Sequence, residues 1–162
     1  MPKLYMLIGV PGSGKSTWIA DQPWSKDCSI VSSDNFIEYR AKQLGKTYND
    51  VFMDYVNVAT RLMDNHVLVA QANGKDIIWD QTNTSAKSRK AKLAKLPDYE
   101  KIAVFFMTPE ASVLTQRLAG RPGKNIPEDV MTSMIKNLEF PTLAEGFSEI
   151  LVIEQLKEAN KP

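Results

Sequence analysis

Residues 9–17 read Gly9-Val-Pro-Gly-Ser-Gly-Lys-Ser-Thr17, and this stretch decides the fold. The spacing Gly-x4-Gly-Lys-Ser is that of a phosphate-binding loop, whose glycines let backbone N–H groups turn inward toward an anion. In that pattern Lys15 reaches the β- and γ-phosphates of a nucleotide, and the Ser16 hydroxyl can bind Mg²⁺. A chance match is expected in on the order of 1% of chains of this length. We therefore predict a nucleotide site here.

Short apolar runs and helical stretches alternate on both sides of this loop. Continuous apolar runs are typical of strands that are covered on both faces, as in a parallel sheet. The pattern predicts an α/β three-layer sandwich with a mainly parallel five-stranded sheet. The strands are predicted at 4–8, 29–31, 77–79, 102–107 and 150–153. The helices are predicted at 15–20, 35–44, 49–72, 85–96, 109–119 (with Thr108 as N-cap) and 127–139.

Length and composition set further bounds. The 162 residues carry a net charge of +1 and one cysteine, so we predict one domain spanning residues 1–162 and no need for disulfides. A lone Cys28 cannot form an internal disulfide, and no secretory pattern opens the chain, which favours a cytoplasmic location. The apolar runs are too short to span a bilayer, so no membrane contact is expected. The low net charge excludes a general DNA coat protein.

Two aspartates follow predicted strands at the sheet edge where the loop lies. Asp34 could accept a proton from a hydroxyl near the γ-phosphate, or cap the next helix, or do both. Asp80 ends the third strand, where a carboxylate could orient metal-bound water or a neighbouring side chain, or merely end the strand. Ligands of such sheets bind outside the carboxyl ends of the strands. The short chain leaves little room for the extra elements of a motor, which favours a kinase.

Three cations indicate a lid over residues 117–127. Arg117, Arg121 and Lys124 lie on or just after a predicted helix, and the segment 120–125 contains two glycines and a proline. A lid that carries arginine could close over ATP and neutralise charge during transfer. A solvated surface loop is the alternative.

Positive charge is concentrated in one segment. Residues 85–124 contain nine Lys or Arg and three Asp or Glu, a net of +6, whereas the rest of the chain is net −5. This asymmetry indicates an anionic partner on one side of the molecule. ATP alone would satisfy it, and the lysines of 87–95 could equally form a solvated helix face.

A series of motifs runs in order along nearly the whole chain, from Leu4 to about Val152. They are the stretch 9–18, Ser33-Asp34, Asp80-Gln-Thr-Asn83 with Arg89 downstream, Arg117-x3-Arg121 leading to Ile126-Pro127, and Phe140-Pro-Thr-Leu-Ala-Glu-Gly-Phe147. Together they resemble the kinase domain of polynucleotide 5′-kinases, the end-healing enzymes of phages and animals. The stretch 140–147 resembles the animal enzymes in particular.

This resemblance implies a P-loop kinase fold with a short lid, and transfer of the γ-phosphate of ATP to the 5′-hydroxyl end of DNA or RNA. It implies that Asp34 is the general base and that Lys15, Arg117 and Arg121 stabilise charge. Mg²⁺ would bind at Ser16. The implied acceptor side consists of Asp34, Asp80, Thr82, Asn83 and Arg89. The implied ATP site consists of Gly9, Pro11, Gly12, Ser13, Gly14, Lys15, Ser16, Thr17 and Arg121.

The chain departs from that family at two points, and other acceptors stay open. Ile37 stands where the phage enzyme has an arginine three residues after its base, a role that Arg40 could take instead. No accompanying phosphatase domain is present, so removal of 3′-phosphates is not expected. The acceptor could also be a hydroxymethylated base in DNA or a small metabolite. A third hypothesis is a module that binds ATP without transferring phosphate.

Overall fold

A five-stranded sheet forms the centre of the computed structural model, which describes residues 1–155. Its strands run in the order β2-β3-β1-β4-β5, and all four pairings are parallel. This architecture confirms the predicted α/β class. The strands are β1 (Lys3–Ile8), β2 (Ser29–Val31), β3 (Ile77–Trp79), β4 (Glu100–Phe106) and β5 (Glu149–Ile153).

Six α-helices connect the strands. They are α1 (Lys15–Asp21), α2 (Ser33–Leu44), α3 (Tyr48–Ala72), α4 (Ala86–Leu93), α5 (Ala111–Ala119) and α6 (Glu128–Lys136). Short 3₁₀ segments at Pro23–Asp27 and Leu143–Glu145 were not predicted. The predicted N-cap at Thr108 was wrong, because Glu110 takes that position and α5 begins at Ala111, two residues later than predicted. Within residues 1–155, no helix is long and apolar enough to cross a membrane.

The helices cover the two faces of the sheet with different side chains. On one face, Met63 and Val67 of α3 and Leu93 of α4 pack against Met6 and Trp79. On the other face, Trp18 of α1 and Trp24 pack against Leu7, Ile78 and Phe106. The sheet is thus the middle layer of three, as the continuous apolar runs of its strands require.

The strand order brings the functional segments to one edge of the sheet. Because β3 lies between β1 and β2, the residues that follow these three strands meet at their carboxyl ends. The Asp80 N–H donates to the Val31 carbonyl at 2.8 Å, and the Gly9 N–H donates to the Thr82 carbonyl at 3.0 Å. The phosphate loop and the two aspartates therefore share one rigid frame.

Candidate active site

The loop between β1 and α1 contains glycines that a larger residue could replace only if the loop or its neighbouring atoms moved. Gly12 and Gly14 have φ angles of +83° and +99°, a region that side chains disfavour. A Cβ at Gly12 would lie 2.8 Å from Leu114, and one at Gly9 would lie 2.6 Å from the Ser13 hydroxyl. Ser13 is buried, and its Oγ has no hydrogen-bond partner within residues 1–155. This close-fitting concave backbone and its unpaired hydroxyl suit a phosphate ligand.

The Lys15 amine lies inside the loop. Its Nζ donates to the carbonyls of Gly9 at 2.7 Å and Val10 at 3.0 Å. The pKa of Lys15 is lowered from 10.5 to about 8, chiefly by burial; the charge of Asp80 opposes this shift and that of Arg121 adds to it. Burial disfavours an ammonium that has no anion beside it, and a bound phosphate would supply that anion.

A magnesium ion would depend on few protein ligands. Ser16 is exposed in the first turn of α1, beside Thr17, which is exposed as well. Within residues 1–155, no group of three His, Cys, Asp or Glu side chains could hold a metal. Mg²⁺ usually binds in kinase sites through one or two protein oxygens together with phosphates and water. The residues present fit that mode, with the Ser16 hydroxyl as the protein ligand.

Asp34 lies in the first turn of α2 and does not cap it. The cap is Ser32, whose hydroxyl accepts from the Asn35 N–H at 3.4 Å. The Asp34 carboxylate instead meets two donors: the Tyr48 hydroxyl donates to Oδ1 at 2.7 Å, and the Lys124 ammonium donates to Oδ2 at 3.1 Å. About half of the Asp34 side chain, 49%, is exposed. The carboxylate is therefore oriented by the protein and open to a ligand.

The charged groups that follow β1, β2 and β3 act on the pKa values of Lys15 and Asp80. Burial raises the pKa of Asp80, Lys15 opposes that shift, and Asp34 adds to it. The same Asp80 and Asp34 act in turn on the pKa of Lys15. Two carboxylates and the loop lysine are thus close enough to influence one another at the carboxyl end of the sheet. This is the arrangement that a phosphoryl-transfer site needs.

The segment predicted as a lid is docked against the corner between α2 and α3. The Asn49 N–H donates to the Gly123 carbonyl at 3.0 Å, and the Asn49 side chain exchanges two hydrogen bonds with the Asn125 backbone at 2.9 and 2.8 Å. A Cβ at Gly123 would lie 2.6 Å from the Thr47 side chain, so the two segments touch closely. Lys124 is carried on this loop to Asp34.

The two arginines of the predicted lid lie on the phosphate-loop side. Arg117, in the last turn of α5, donates to the Gly12 carbonyl at 2.9 Å and to the Gln155 side chain at 3.2 Å. Arg121 is half-buried, and its charge acts on Lys15. The structure therefore brings both guanidinium groups close to the loop.

Two residues expected on the acceptor side are part of the interior. Asn83 is 3% exposed, and its Nδ2 donates to the Leu7 carbonyl at 2.7 Å. Arg89 is 0% exposed; it pairs with Glu145 at 2.8 Å and donates to the carbonyls of Asn83, Thr84 and Glu139. Because buried and engaged side chains do not reach a ligand, the predicted acceptor-side role of these two residues would be to support the site from the interior. Thr82 contributes its carbonyl to the Gly9 N–H.

We expect Arg89→Met to destabilise the fold strongly. The change removes the cation that pairs with Glu145 and one donor from the carbonyls of Asn83, Thr84 and Glu139, and breaking a buried pair from one side costs about 3–5 kcal/mol. Urea unfolding followed by tryptophan fluorescence measures the loss. Arg61→Met, on the exposed side of α3, is the matched control and should unfold like the wild type. Equal unfolding of both variants would show that the Arg89 network has no structural role.

Lys92 contacts Asn83 from the interior, and its protonation makes the stability of the fold depend on pH. Its Nζ donates to Asn83 Oδ1 and lies 5.5 Å from the centre of the Trp79 ring. Burial, with a smaller contribution from Lys95, lowers the pKa of Lys92 from 10.5 to about 8. Between these two values the unfolded chain binds a proton that the folded chain has released, so stability rises with pH in that interval.

Lys92→Met should remove this dependence. We expect the free energy of unfolding of the wild type, minus that of the variant, to grow by on the order of 1–3 kcal/mol from about pH 7.5 to about pH 10. Paired urea titrations at the two pH values measure it. A difference that stays constant would mean that Lys92 keeps its proton throughout.

Arg40 does not take the place of the arginine that Ile37 replaces. Its guanidinium donates to Gln43 at 2.8 Å and to the Tyr55 hydroxyl at 3.2 Å, and it lies over the Tyr55 ring. It thus faces α3 and not Asp34.

The lysines of 87–95 do not form one surface: Lys92 is largely buried, and Lys95 pairs with Asp64 at 2.9 Å.

Two residues of the site were missed from the sequence. Glu38 holds Lys124 at 2.9 Å, and its position four residues after Asp34 on one helix was a signal that could have found it. Tyr48 opens the next helix and meets Asp34 only because α2 and α3 pack against each other. No local pattern indicates that contact.

A parallel sheet with a phosphate loop after its central strand β1, and carboxylates after β3 beside it and after β2 at the edge, defines a P-loop protein of the kinase type. The chain belongs to the AAA domain family (AAA_33), which matches residues 4–141.

Known proteins are similar to this chain in structure or in sequence. A candidate kinase from Chloroflexus aurantiacus J-10-fl superposes with a TM-score of 0.71 at 16% identity, over 94% of this chain and 85% of that chain. A chain of the Pnkp1/Rnl/Hen1 RNA repair complex has a TM-score of 0.63 at 27% identity, over 85% of this chain and 44% of that chain. Transcription factor bHLH140 of Arabidopsis thaliana is 28% identical over 160 residues, 90% of this chain and 15% of that protein. The chain thus spans only a small part of that curated relative.

Proposed function

We propose that this protein is an ATP-dependent kinase that transfers the γ-phosphate of ATP to the 5′-hydroxyl end of DNA or RNA. The observation that carries the proposal is the meeting of Lys15, Asp80 and Asp34 at the carboxyl end of the sheet. A module that only binds ATP needs no oriented and half-exposed carboxylate opposite the loop lysine. An acceptor hydroxyl does need one.

The residues divide the work of an in-line transfer. Asp34 takes the proton of the acceptor hydroxyl while the hydroxyl oxygen attacks the γ-phosphorus; the bond from that phosphorus to the β–γ bridging oxygen breaks, and ADP leaves. Lys15, Arg117 and Arg121 neutralise charge on the phosphates. Asp80 supports the acceptor side. The other residues that would bind ATP are those of the loop: Gly9, Pro11, Gly12, Ser13, Gly14, Ser16 and Thr17. Bound at Ser16, Mg²⁺ supplies further charge neutralisation.

A nucleic-acid acceptor is supported by three observations. The chain aligns over 85% of its length, at 27% identity, with a chain of an RNA repair complex. Its ordered motifs, from the loop to Phe147, resemble those of polynucleotide 5′-kinases. Half of the Asp34 carboxylate is exposed, which leaves room for the end of a large acceptor.

Label transfer from γ-labelled ATP tests the proposal. The purified protein is given Mg²⁺ and one oligonucleotide in two forms, with a 5′-hydroxyl or with a 5′-phosphate, each as DNA and as RNA. We expect label to enter only the 5′-hydroxyl strands. Equal labelling of both forms would identify a hydroxyl elsewhere, such as one on a modified base. No labelling while ATP still binds would contradict a nucleic-acid acceptor and favour a small metabolite or a module without transfer.

A further inference from the structure

The proposed base is held by two donors that sit on different oxygens. The Tyr48 hydroxyl is 2.7 Å from Asp34 Oδ1, and the Lys124 ammonium is 3.1 Å from Oδ2. The two donors come from different parts of the chain, the start of α3 and the loop before α6. One carboxylate thus has one oxygen bound by an aromatic hydroxyl and the other covered by a cation.

Tyr48 is fixed in this position by its surroundings. Its ring packs against Phe52, with ring centres 5.6 Å apart, and Lys124 lies 4.4 Å from the ring centre on its face. The capping box of Thr47 and Asp50 fixes the first turn of α3, and Tyr48 is the first residue of that helix. Burial, and then the hydrogen bond to Asp34, raise the pKa of Tyr48 above its ordinary value of 10, so the hydroxyl keeps its proton and remains a donor.

Lys124 is held by charged groups that are open to solvent and that a substrate could reach. It pairs with Asp34 and, at 2.9 Å, with Glu38, and both carboxylates are about half exposed. Its loop is fastened by the hydrogen bonds of Asn49. Tyr48 lies in the first turn of α3, so its hydroxyl cannot leave Asp34 unless that helix moves. The Lys124 side chain lies on a loop and can turn away from Asp34.

We propose that Tyr48 is the positioning residue of Asp34: it holds Oδ1, so that Oδ2 is the oxygen that receives the acceptor proton, and Lys124 covers Oδ2 until the acceptor hydroxyl displaces it. This inference rests on the proposed role of Asp34 as the base. It adds which oxygen acts, what orients it and what the acceptor must displace.

Tyr48→Phe tests the positioning role. The variant keeps the ring against Phe52 and under Lys124 and loses only the hydroxyl. We expect kcat for the 5′-hydroxyl strand to fall about tenfold or more, the effect of a hydrogen bond to a charged group, while the KM values for ATP and acceptor stay within about twofold. Tyr55→Phe, which removes a hydroxyl from the same helix, should match the wild type. An unchanged kcat in Tyr48→Phe would overturn the proposal.

Lys124→Met tests the covering role. Removing a competitor for Oδ2 should lower the acceptor KM by about two- to fivefold. Lys87→Met, an exposed lysine of α4, controls for the lost charge and should leave the KM unchanged. A raised acceptor KM in Lys124→Met would mean that Lys124 holds the acceptor, and would overturn this half of the proposal.

A readout without activity separates this inference from the proposed function. Tyrosine labelled with ¹³C at Cζ reports its own ionisation by NMR, and Tyr48→Phe assigns the signal. We expect Tyr48 to ionise at a lower pH in Asp34→Asn than in the wild type. If the wild type labels no oligonucleotide, the proposed acceptor is wrong, and an unchanged Tyr48 titration in Asp34→Asn would independently show that the Tyr48–Asp34 bond is absent.

Discussion

Asp34→Asn should lower the rate of phosphoryl transfer by about 10²–10⁴-fold, the usual contribution of a general base. Asparagine has nearly the same shape, and its one oxygen can still accept from Tyr48, but its NH₂ group cannot accept from Lys124 and it cannot take a proton. Because Asp34 lies on α2 and is not part of the phosphate loop, ATP affinity should stay within about twofold of the wild type. Single-turnover label transfer and isothermal titration with ATP measure the two quantities.

Glu38→Gln is the matched control for this change. Glu38 lies one turn further along α2, contacts the same Lys124 and is equally exposed. The same chemical replacement there should leave transfer within a few-fold of the wild type. If Asp34→Asn transfers phosphate at the wild-type rate, or if both variants lose the same activity, Asp34 is not the base.

Lys15→Met should weaken ATP binding and transfer together. The amine is the cation inside the loop, and removing one donor that stabilises transition-state charge costs about 10²–10³-fold in rate. Burial already disfavours its charged form, so a neutral side chain of similar length should not destabilise the fold. For the wild type and the variant, isothermal titration with Mg²⁺ and ATP measures binding, label transfer measures activity and urea unfolding measures stability.

Lys26→Met is the control, because Lys26 is exposed and lies in the 3₁₀ segment that follows α1, outside the loop. It should bind ATP and transfer phosphate like the wild type. An unchanged ATP affinity in Lys15→Met would mean that the loop does not hold the nucleotide phosphates. A folded Lys15→Met that binds ATP weakly but transfers at full rate would contradict the transfer role.

The sheet could be predicted because each strand is a continuous apolar run and each run is short. The bounds of the helices differ by a few residues where two capping groups compete. At α5, Thr108 and Glu110 both suit a helix start, and the chain uses Glu110. At α2, Ser32 caps the helix, which leaves the Asp34 carboxylate for other contacts.

The acceptor side was harder to predict, because its residues depend on packing between distant segments. Arg89 and Asn83 are polar and follow a strand, and nothing in their local sequence separates a ligand contact from a buried network. Glu145, 56 residues away along the chain, decides the position of Arg89. Tyr48 joins the site through the packing of α2 on α3, which no spacing rule describes.

The position of the label in a phosphorylated strand tests the central claim most directly. An RNA with one guanosine, placed at its 5′-hydroxyl end, is labelled from γ-labelled ATP and digested completely to nucleoside 5′-monophosphates. The account predicts that all label is recovered in guanosine 5′-monophosphate and that Asp34→Asn yields almost none. Label in any other nucleotide, or none from a wild-type protein that binds ATP, would contradict it.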